Sequence, residues 1–224
     1  MNNHSMIKNT MIYEHIKDYL PVIPILELKK GEYLFRAERK TGNLFYIFDG
    51  LIKVENISYN GKKLIVDILD ADNFVGPISS IHNADFQCSG VAETNAKVLV
   101  LKKSLMDELM QNDEFLVMFY QKTSKRVYVM YKNILARSLF GENEILAHYI
   151  LKHSSGDIFK YKSIYNICEN LGISRRGIYN ILYRFEESGC IEKLDSGYRI
   201  MDRAYLENVA DQMIKYMKNS EDEA

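Results

Sequence analysis

Cysteine is scarce in this chain. Cys88, Cys168 and Cys190 are the only three in 224 residues, and they stand far apart. That argues against a disulfide framework or a close-spaced metal knot, and it fits a reducing compartment. No cysteine precedes Cys88, so an iron-sulfur cluster, which usually takes about four thiolates, lacks its ligands. Long hydrophobic runs are also missing. No stretch approaches the roughly 18 apolar residues of a membrane span. Lys8, Glu14, Lys17 and Asp18 break up the first twenty residues, unlike a secretory signal, so the expected location is cytoplasmic. There is no repeat of fixed period and no low-complexity segment. A phosphate loop, a Ser-His-Asp or Cys-His spacing and a pair of catalytic acids do not stand out either. Charge of one sign is not in excess, the formal net charge being -1.

What is present is the balance of a globular protein, 47% hydrophobic and 26% charged, with enough length for one large domain or two ordinary ones. The most informative stretch is residues 163–198. Ile164, Ile167, Leu171, Ile173, Ile178, Ile181, Leu182 and Phe185 fall at helical spacing on both sides of Gly172, which can take the left-handed conformation of a tight inter-helix turn. Ser174 stands where an N-cap belongs, so the second helix starts with Arg175 and Arg176 pointing outward. Ile191 to Leu194 and Tyr198 to Ile200 bracket the turn Asp195-Ser196-Gly197, a hairpin. The pattern predicts a winged helix-turn-helix. Between residues 157 and 203 there are eight Lys or Arg (160, 162, 175, 176, 184, 193, 199, 203) against seven acids (157, 169, 186, 187, 192, 195, 202). From 174 to 184 there are three Arg and no acid, so positive charge is concentrated on the second helix.

Upstream the pattern differs. Residues 6–20 predict one short amphipathic helix (Met6, Ile7, Met11, Ile12, Ile16, Leu20) ended by Pro21 and Pro24. Short strands follow: 33–35, those flanking the hairpin signals Asp49-Gly50 and Asn60-Gly61, then 86–92 and 97–101. Many short strands joined by turns suggest a barrel or jelly-roll. From about Ser104 the period becomes helical, and after Asp113 it continues for more than twenty residues without Gly or Pro. There Leu116, Tyr120, Thr123, Val127, Met130 and Ile134 step by four and three, either as a coiled-coil seam or as a core stripe. A second piece, 142–152, leads into Ser154-Ser155-Gly156, which reads as a loop. Near the end Asp202 can cap a last helix with Leu206, Val209, Met213, Ile214 and Met217 on one face. Residues 219–224 form an acidic tail expected to be disordered.

In order and spacing the chain resembles the CRP/FNR family of bacterial transcription regulators over nearly its whole length. The carriers are Lys30-Gly31-Glu32, the run Phe45-Tyr46-Ile47-Phe48-Asp49-Gly50-Leu51-Ile52-Lys53-Val54, and Leu171-Gly172-Ile173-Ser174-Arg175 with Arg184 and Gly189-Cys190-Ile191. The resemblance implies an α+β fold in four parts. These are a cyclic-nucleotide-binding-like β-roll (double-stranded jelly-roll) sensor at 1–112, a long dimerisation helix at 113–140, a winged helix-turn-helix at 141–218 and the tail at 219–224. It implies a homodimer through Leu116, Tyr120, Thr123, Val127, Met130 and Ile134, reading an inverted repeat in double-stranded DNA. It also implies contact with RNA polymerase if the protein activates. By the same resemblance Arg175 contacts a guanine edge. The next family position, often a glutamate, is Arg176 here, and a later arginine is Asn180, which can pair with adenine. Ser174, Tyr179, Tyr183 and Arg199 are expected phosphate contacts, with half-buried packing the other reading for the two tyrosines.

Cyclic-nucleotide binders of the family carry Gly-Glu-Leu and a later Arg-Ser, which hold ribose and cyclic phosphate. Here the matching positions are Gly76-Pro77-Ile78 and Gln87-Cys88. Residues 64–96 contain no Lys or Arg, while Asp67, Asp70, Asp72, Asp85 and Glu93 are acidic, so a buried anion would lack its counter-charge. The expectation is no tight cAMP or cGMP binding, no cofactor and no metal, with the roll either responding to an unidentified small molecule or serving only as scaffold. His82 and Cys88 could ligate haem, but a loop imidazole and a core thiol account for them better. Two other functions compete with DNA reading. A metal-dependent cupin-type enzyme needs clustered His and acid ligands, and of His4, His15, His82, His148 and His153 the roll supplies at most one. A ligand-sensing adaptor without DNA binding would leave Arg175 and Arg176 as an ordinary solvated helix end.

Overall fold

The computed structural model describes residues 3–37, 42–58, 60–61, 63–76 and 88–218. The chain divides into two compact units, Met1–Tyr128 and Val129–Ala224.

Among the described residues of the first unit eight strands form two antiparallel four-stranded sheets: β1 (Ile25–Leu28), β2 (Tyr33–Phe35), β3 (Leu44–Asp49), β4 (Ile52–Ile57), β5 (Lys63–Leu69), β6 (Asn73–Val75), β7 (Cys88–Ala92) and β8 (Ala96–Leu101). One sheet has the order β1-β8-β3-β6 and the other β2-β7-β4-β5. Alternation along β3 and β8 builds two cores at once. Phe45, Ile47, Val98 and Val100 join Phe35, Ile52, Val54 and Leu69 between the sheets. Leu44, Tyr46, Phe48, Leu99 and Leu101 face the other way, onto Ile7, Ile12, Ile16 and the helical residues Met106, Leu109, Phe115 and Phe119. β3 is buried on both faces, which explains why its sequence shows no polar alternation.

Two expectations from the sequence change here. The N-terminal helix is two short helices, α1 (Asn3–Lys8) and α2 (Tyr13–Ile16). The chain turns between them because Thr10 Oγ1 bonds the Ile7 carbonyl at 2.6 Å and Met11 N–H donates to Asp72 Oδ1 at 3.1 Å. Asp72 also accepts from the Tyr46 hydroxyl, whose pKa burial pushes well above the usual phenol range. The Asp49-Gly50 turn is no hairpin either, since it carries the chain from one sheet to the other. Asn60-Gly61 does close the β4–β5 hairpin. The carboxylate of Glu55 on β4 is buried, with Lys63 Nζ at 3.1 Å and Lys53 Nζ at 3.4 Å as its counter-charges.

The helix α3 (Lys103–Leu109) follows, and then α4 (Asp113–Leu139), started by the Asn112 side chain accepting from Phe115 N–H at 2.9 Å. The boundary between the units falls within α4. The second unit continues with α5 (Glu142–His153), β9 (Ser154–Ser155), β10 (Ile158–Lys160), α6 (Ile164–Leu171), α7 (Arg175–Glu187), β11 (Ile191–Leu194), β12 (Gly197–Ile200), α8 (Arg203–Val209) and α9 (Asp211–Lys218). Its sheet has the order β11-β12-β10-β9. The segment Ser154-Ser155-Gly156, read as a loop, contributes the short strand β9. The last helix is broken at Ala210 into α8 and α9, after Asp202 caps α8 by accepting from Tyr205 N–H at 2.9 Å. The core gathers Leu146, Ile150, Phe159, Ile167, Ile178, Ile181, Leu182, Phe185, Tyr198, Ile200 and Leu206. Lys132 is buried, its Nζ donating to the Met217 carbonyl at 2.9 Å beside the Tyr216 ring. The tail expected at 219–224 lies outside the described residues.

Gly50 tests the sheet-to-sheet crossing. Its φ is +83, and a Cβ there would lie 2.2 Å from the Asn95 carbonyl oxygen, a contact with backbone that cannot move aside cheaply. Gly50→Ala is expected to destabilise the protein by about 2 kcal/mol or more, read as a lowered midpoint of denaturant unfolding with the slope unchanged.

Candidate nucleic-acid interface

The helix-turn-helix is set by three local devices. Ser163 caps α6, its Oγ accepting from Asn166 N–H at 3.0 Å. Gly172 ends α6 with φ +72 and donates its N–H to the Cys168 carbonyl at 2.8 Å, a left-handed cap that costs a Cβ-bearing residue strain. Ser174 then caps α7, accepting from Gly177 N–H at 3.0 Å. Its hydroxyl proton remains free to donate outward, because the cap uses the oxygen only as an acceptor.

Helical spacing sorts the rest of α7. Ile178, Ile181, Leu182 and Phe185 are buried in the core. Ser174, Arg175, Arg176, Tyr179, Asn180 and Tyr183 are all exposed, Tyr183 at 61% and Tyr179, about half covered, at 45%. The Arg175 guanidinium lies 5.6 Å from the Tyr179 ring centre, within cation–π range. Among the described residues no carboxylate lies within ion-pair reach of Arg175 or Arg176. The third arginine differs: Arg184 Nη2 donates to Asn143 Oδ1 at 2.8 Å and anchors α7 to α5. Glu142 of α5 also approaches the start of α7, its Oε2 lying 3.0 Å from where a Cβ on Gly177 would stand.

The wing is the β11–β12 hairpin, with Ile191 opposite Ile200 and Glu192 opposite Arg199. Arg199 is exposed, and its Nη1 is 3.0 Å from Glu192 Oε2. Tyr198 points inward against Tyr161; burial first, then the Tyr161 phenol and the Glu186 carboxylate, push its hydroxyl up to about 12. Hydrogen bonding to Glu187 raises the pKa of Tyr183. The acids Glu187 and Glu192 and the anchor Asn143 were not singled out in the sequence. The register about Asp195-Ser196 would have placed Glu192 opposite Arg199; Asn143 carries no local signature.

Of the residues assigned to a dimer seam, Leu116 (43%), Tyr120 (69%), Val127 (63%) and Ile134 (58%) are exposed, and Thr123 and Met130 are half-buried. Val117, Tyr128 and Tyr131 add further exposed apolar surface to α4. Phe115 and Phe119, on the same helix, are buried in the first unit's core. Of the degenerate effector-pocket positions, Gly76 follows β6 with half-buried surroundings, and Cys88 opens β7, buried, with its thiol pKa raised by burial. Pro77, Ile78 and Gln87 lie outside the described residues, as does His82. Arg126 of α4 enters this neighbourhood, 2.7 Å from Asp67 Oδ2 and donating to the Phe74 carbonyl at 2.9 Å. Among the described residues no three His, Cys, Asp or Glu side chains gather as a metal site, and no helix is long and apolar enough to cross a membrane.

The cap of α7 gives a direct test. Ser174→Ala leaves the Gly177 N–H without its partner and is expected to cost about 1 kcal/mol, measurable by thermal unfolding, whereas Ser174→Asp retains the cap.

Comparison with known proteins agrees with this architecture. Residues 25–113 match the cyclic nucleotide-binding domain family. The regulatory protein YeiL of Escherichia coli O157:H7 is 26% identical over 186 residues, covering 81% of this chain and 83% of its own. A CRP/FNR-family protein from Eubacterium rectale superposes with a TM-score of 0.73 at 17% identity, over 91% of this chain and 95% of that one. The c-di-GMP-responsive global regulator CLP of Xanthomonas campestris does so with a TM-score of 0.70 at 14% identity, over 84% and 98%. Residues 25–113 are thus similar to the cyclic nucleotide-binding domain family, and the chain as a whole has the fold seen in the structures of the CRP/FNR family.

Proposed function

We propose that this protein is a sequence-specific regulator of transcription that binds double-stranded DNA as a homodimer on an inverted repeat. The observation that carries the reading is the solvent face of α7. It presents Ser174, Arg175, Arg176, Tyr179, Asn180 and Tyr183 together, with two guanidiniums that have no carboxylate within ion-pair reach among the described residues and no acid between 174 and 184. A capped helix with a cationic start and polar base-reading side chains fits the major groove. Arg175 reads guanine, Asn180 reads adenine, and Arg176, Ser174, Tyr183 and Arg199 hold phosphates. Two such helices in a dimer read half-sites about 34–36 Å apart. The exposed apolar residues of α4 support the dimer, since such a face in water is otherwise a cost. DNA reading takes place in the cytoplasm, and RNA polymerase is the further partner if the protein activates.

The effector site does not favour a cyclic nucleotide. Arg126 is one cation in this region, and it is already held by Asp67 and the Phe74 carbonyl. A cyclic phosphate would have to displace a carboxylate at 2.7 Å. Calorimetry with cAMP is expected to show no micromolar binding, and a clear micromolar isotherm would contradict this.

Selection from random duplex DNA at two salt concentrations tests the main reading. Enrichment of an inverted repeat is expected, and Arg175→Ala should cost about 1–3 kcal/mol at one guanine while leaving other positions read. Retention that is only salt-sensitive and blind to sequence would count against it. Tyr120→Glu with Val127→Glu is expected to give a folded monomer in sedimentation, with loss of cooperative binding to the repeat.

A further inference from the structure

The wing and the reading helix differ in charge. Residues 191–200 contain Glu192, Lys193, Asp195 and Arg199, two acids against two bases, so the hairpin is neutral where α7 begins with two free arginines. Its central cation is also occupied. Glu192 and Arg199 are direct cross-strand partners, with Arg199 Nη1 3.0 Å from Glu192 Oε2. Both side chains are about half exposed, at 54% and 51%, and β11 is an edge strand of its sheet. The pair therefore sits in water, where such contacts are weak and exchange partners readily.

Resting on the DNA-binding reading, we propose that Glu192 occupies on the wing the place that a DNA phosphate takes in the complex. A carboxylate offers a guanidinium the same forked pair of oxygen acceptors that a phosphate does. On binding, Arg199 exchanges the carboxylate for the phosphate, and the loss of the Glu192 contact offsets part of the new one. Glu192 thereby weakens the hold of the wing on duplex of any sequence. Non-specific binding rests almost wholly on phosphate charge, so restraint at the wing leaves recognition to the base-reading side chains of α7. A cross-strand pair that merely stabilised the hairpin would act on unfolding and leave DNA affinity alone.

The experiment uses the full chain and a labelled duplex of random sequence, with anisotropy titrations at a series of salt concentrations. Wild type is compared with Glu192→Gln, Arg199→Gln and the double variant. Glu192→Gln is expected to bind about 2- to 5-fold tighter, with a salt slope steeper by about 1. Arg199→Gln should bind more weakly, and adding Glu192→Gln to it should recover little. Unchanged or weaker binding by Glu192→Gln overturns the proposal. So does a gain that survives in full without Arg199, which would mark a general charge effect. If none of the four proteins retains duplex, the DNA-binding reading falls and this inference with it.

Discussion

The side of α7 that meets solvent is decided by the side that cannot. Ile178, Ile181, Leu182 and Phe185 are buried to a few per cent, and with 3.6 residues per turn their burial leaves 175, 176, 179, 180 and 183 no direction but outward. Everything proposed about recognition depends on that single packing choice. The Gly172 turn, the Ser174 cap and the Arg184–Asn143 bond refine the angle and start of the helix. None of them selects its face.

How much could be read beforehand varied with the range of the interaction. The helix-turn-helix was legible because its determinants lie within a few residues of each other: a cap, a glycine and an apolar stripe. The strands at 33–35 and 97–101 were legible from composition. The meaning of Asp49-Gly50 was not, because the same two residues suit a hairpin and a crossing between sheets. What decides is the close approach of Gly50 to Asn95, forty-five positions away. The break in the N-terminal helix is hidden from the sequence for a similar reason. Its break depends on Asp72, a residue remote in sequence, capturing Met11 N–H. On the candidate interface the exposure of the tyrosines was undecided by spacing alone, and the partner of Arg199 required the hairpin register.

The long helix illustrates why an apolar stripe can resist interpretation. Leu116, Tyr120 and Val127 lie exposed while Phe115 and Phe119 are buried, so α4 is apolar on more than one face. An exposed apolar stripe and a buried one share the helix, whereas the sequence offers a seam or a core stripe for the same six residues, Leu116 to Ile134. Similarly, the lack of Lys and Arg in residues 64–96 described the strands correctly but not their surroundings. The cation beside Asp67 arrives from Arg126, outside that segment.

The double duty of β3 has a consequence for how the roll avoids folding errors. Phe45 and Tyr46 have almost the same shape, so sterics alone would scarcely object if the strand paired one residue out of step. The Tyr46 hydroxyl objects instead. In the correct pairing it meets Asp72; shifted by one, it would enter the layer between the sheets among the apolar side chains of Ile52, Val54 and Val98 and lose that partner. One oxygen atom thus makes two nearly equivalent aromatic rings distinguishable to the folding chain.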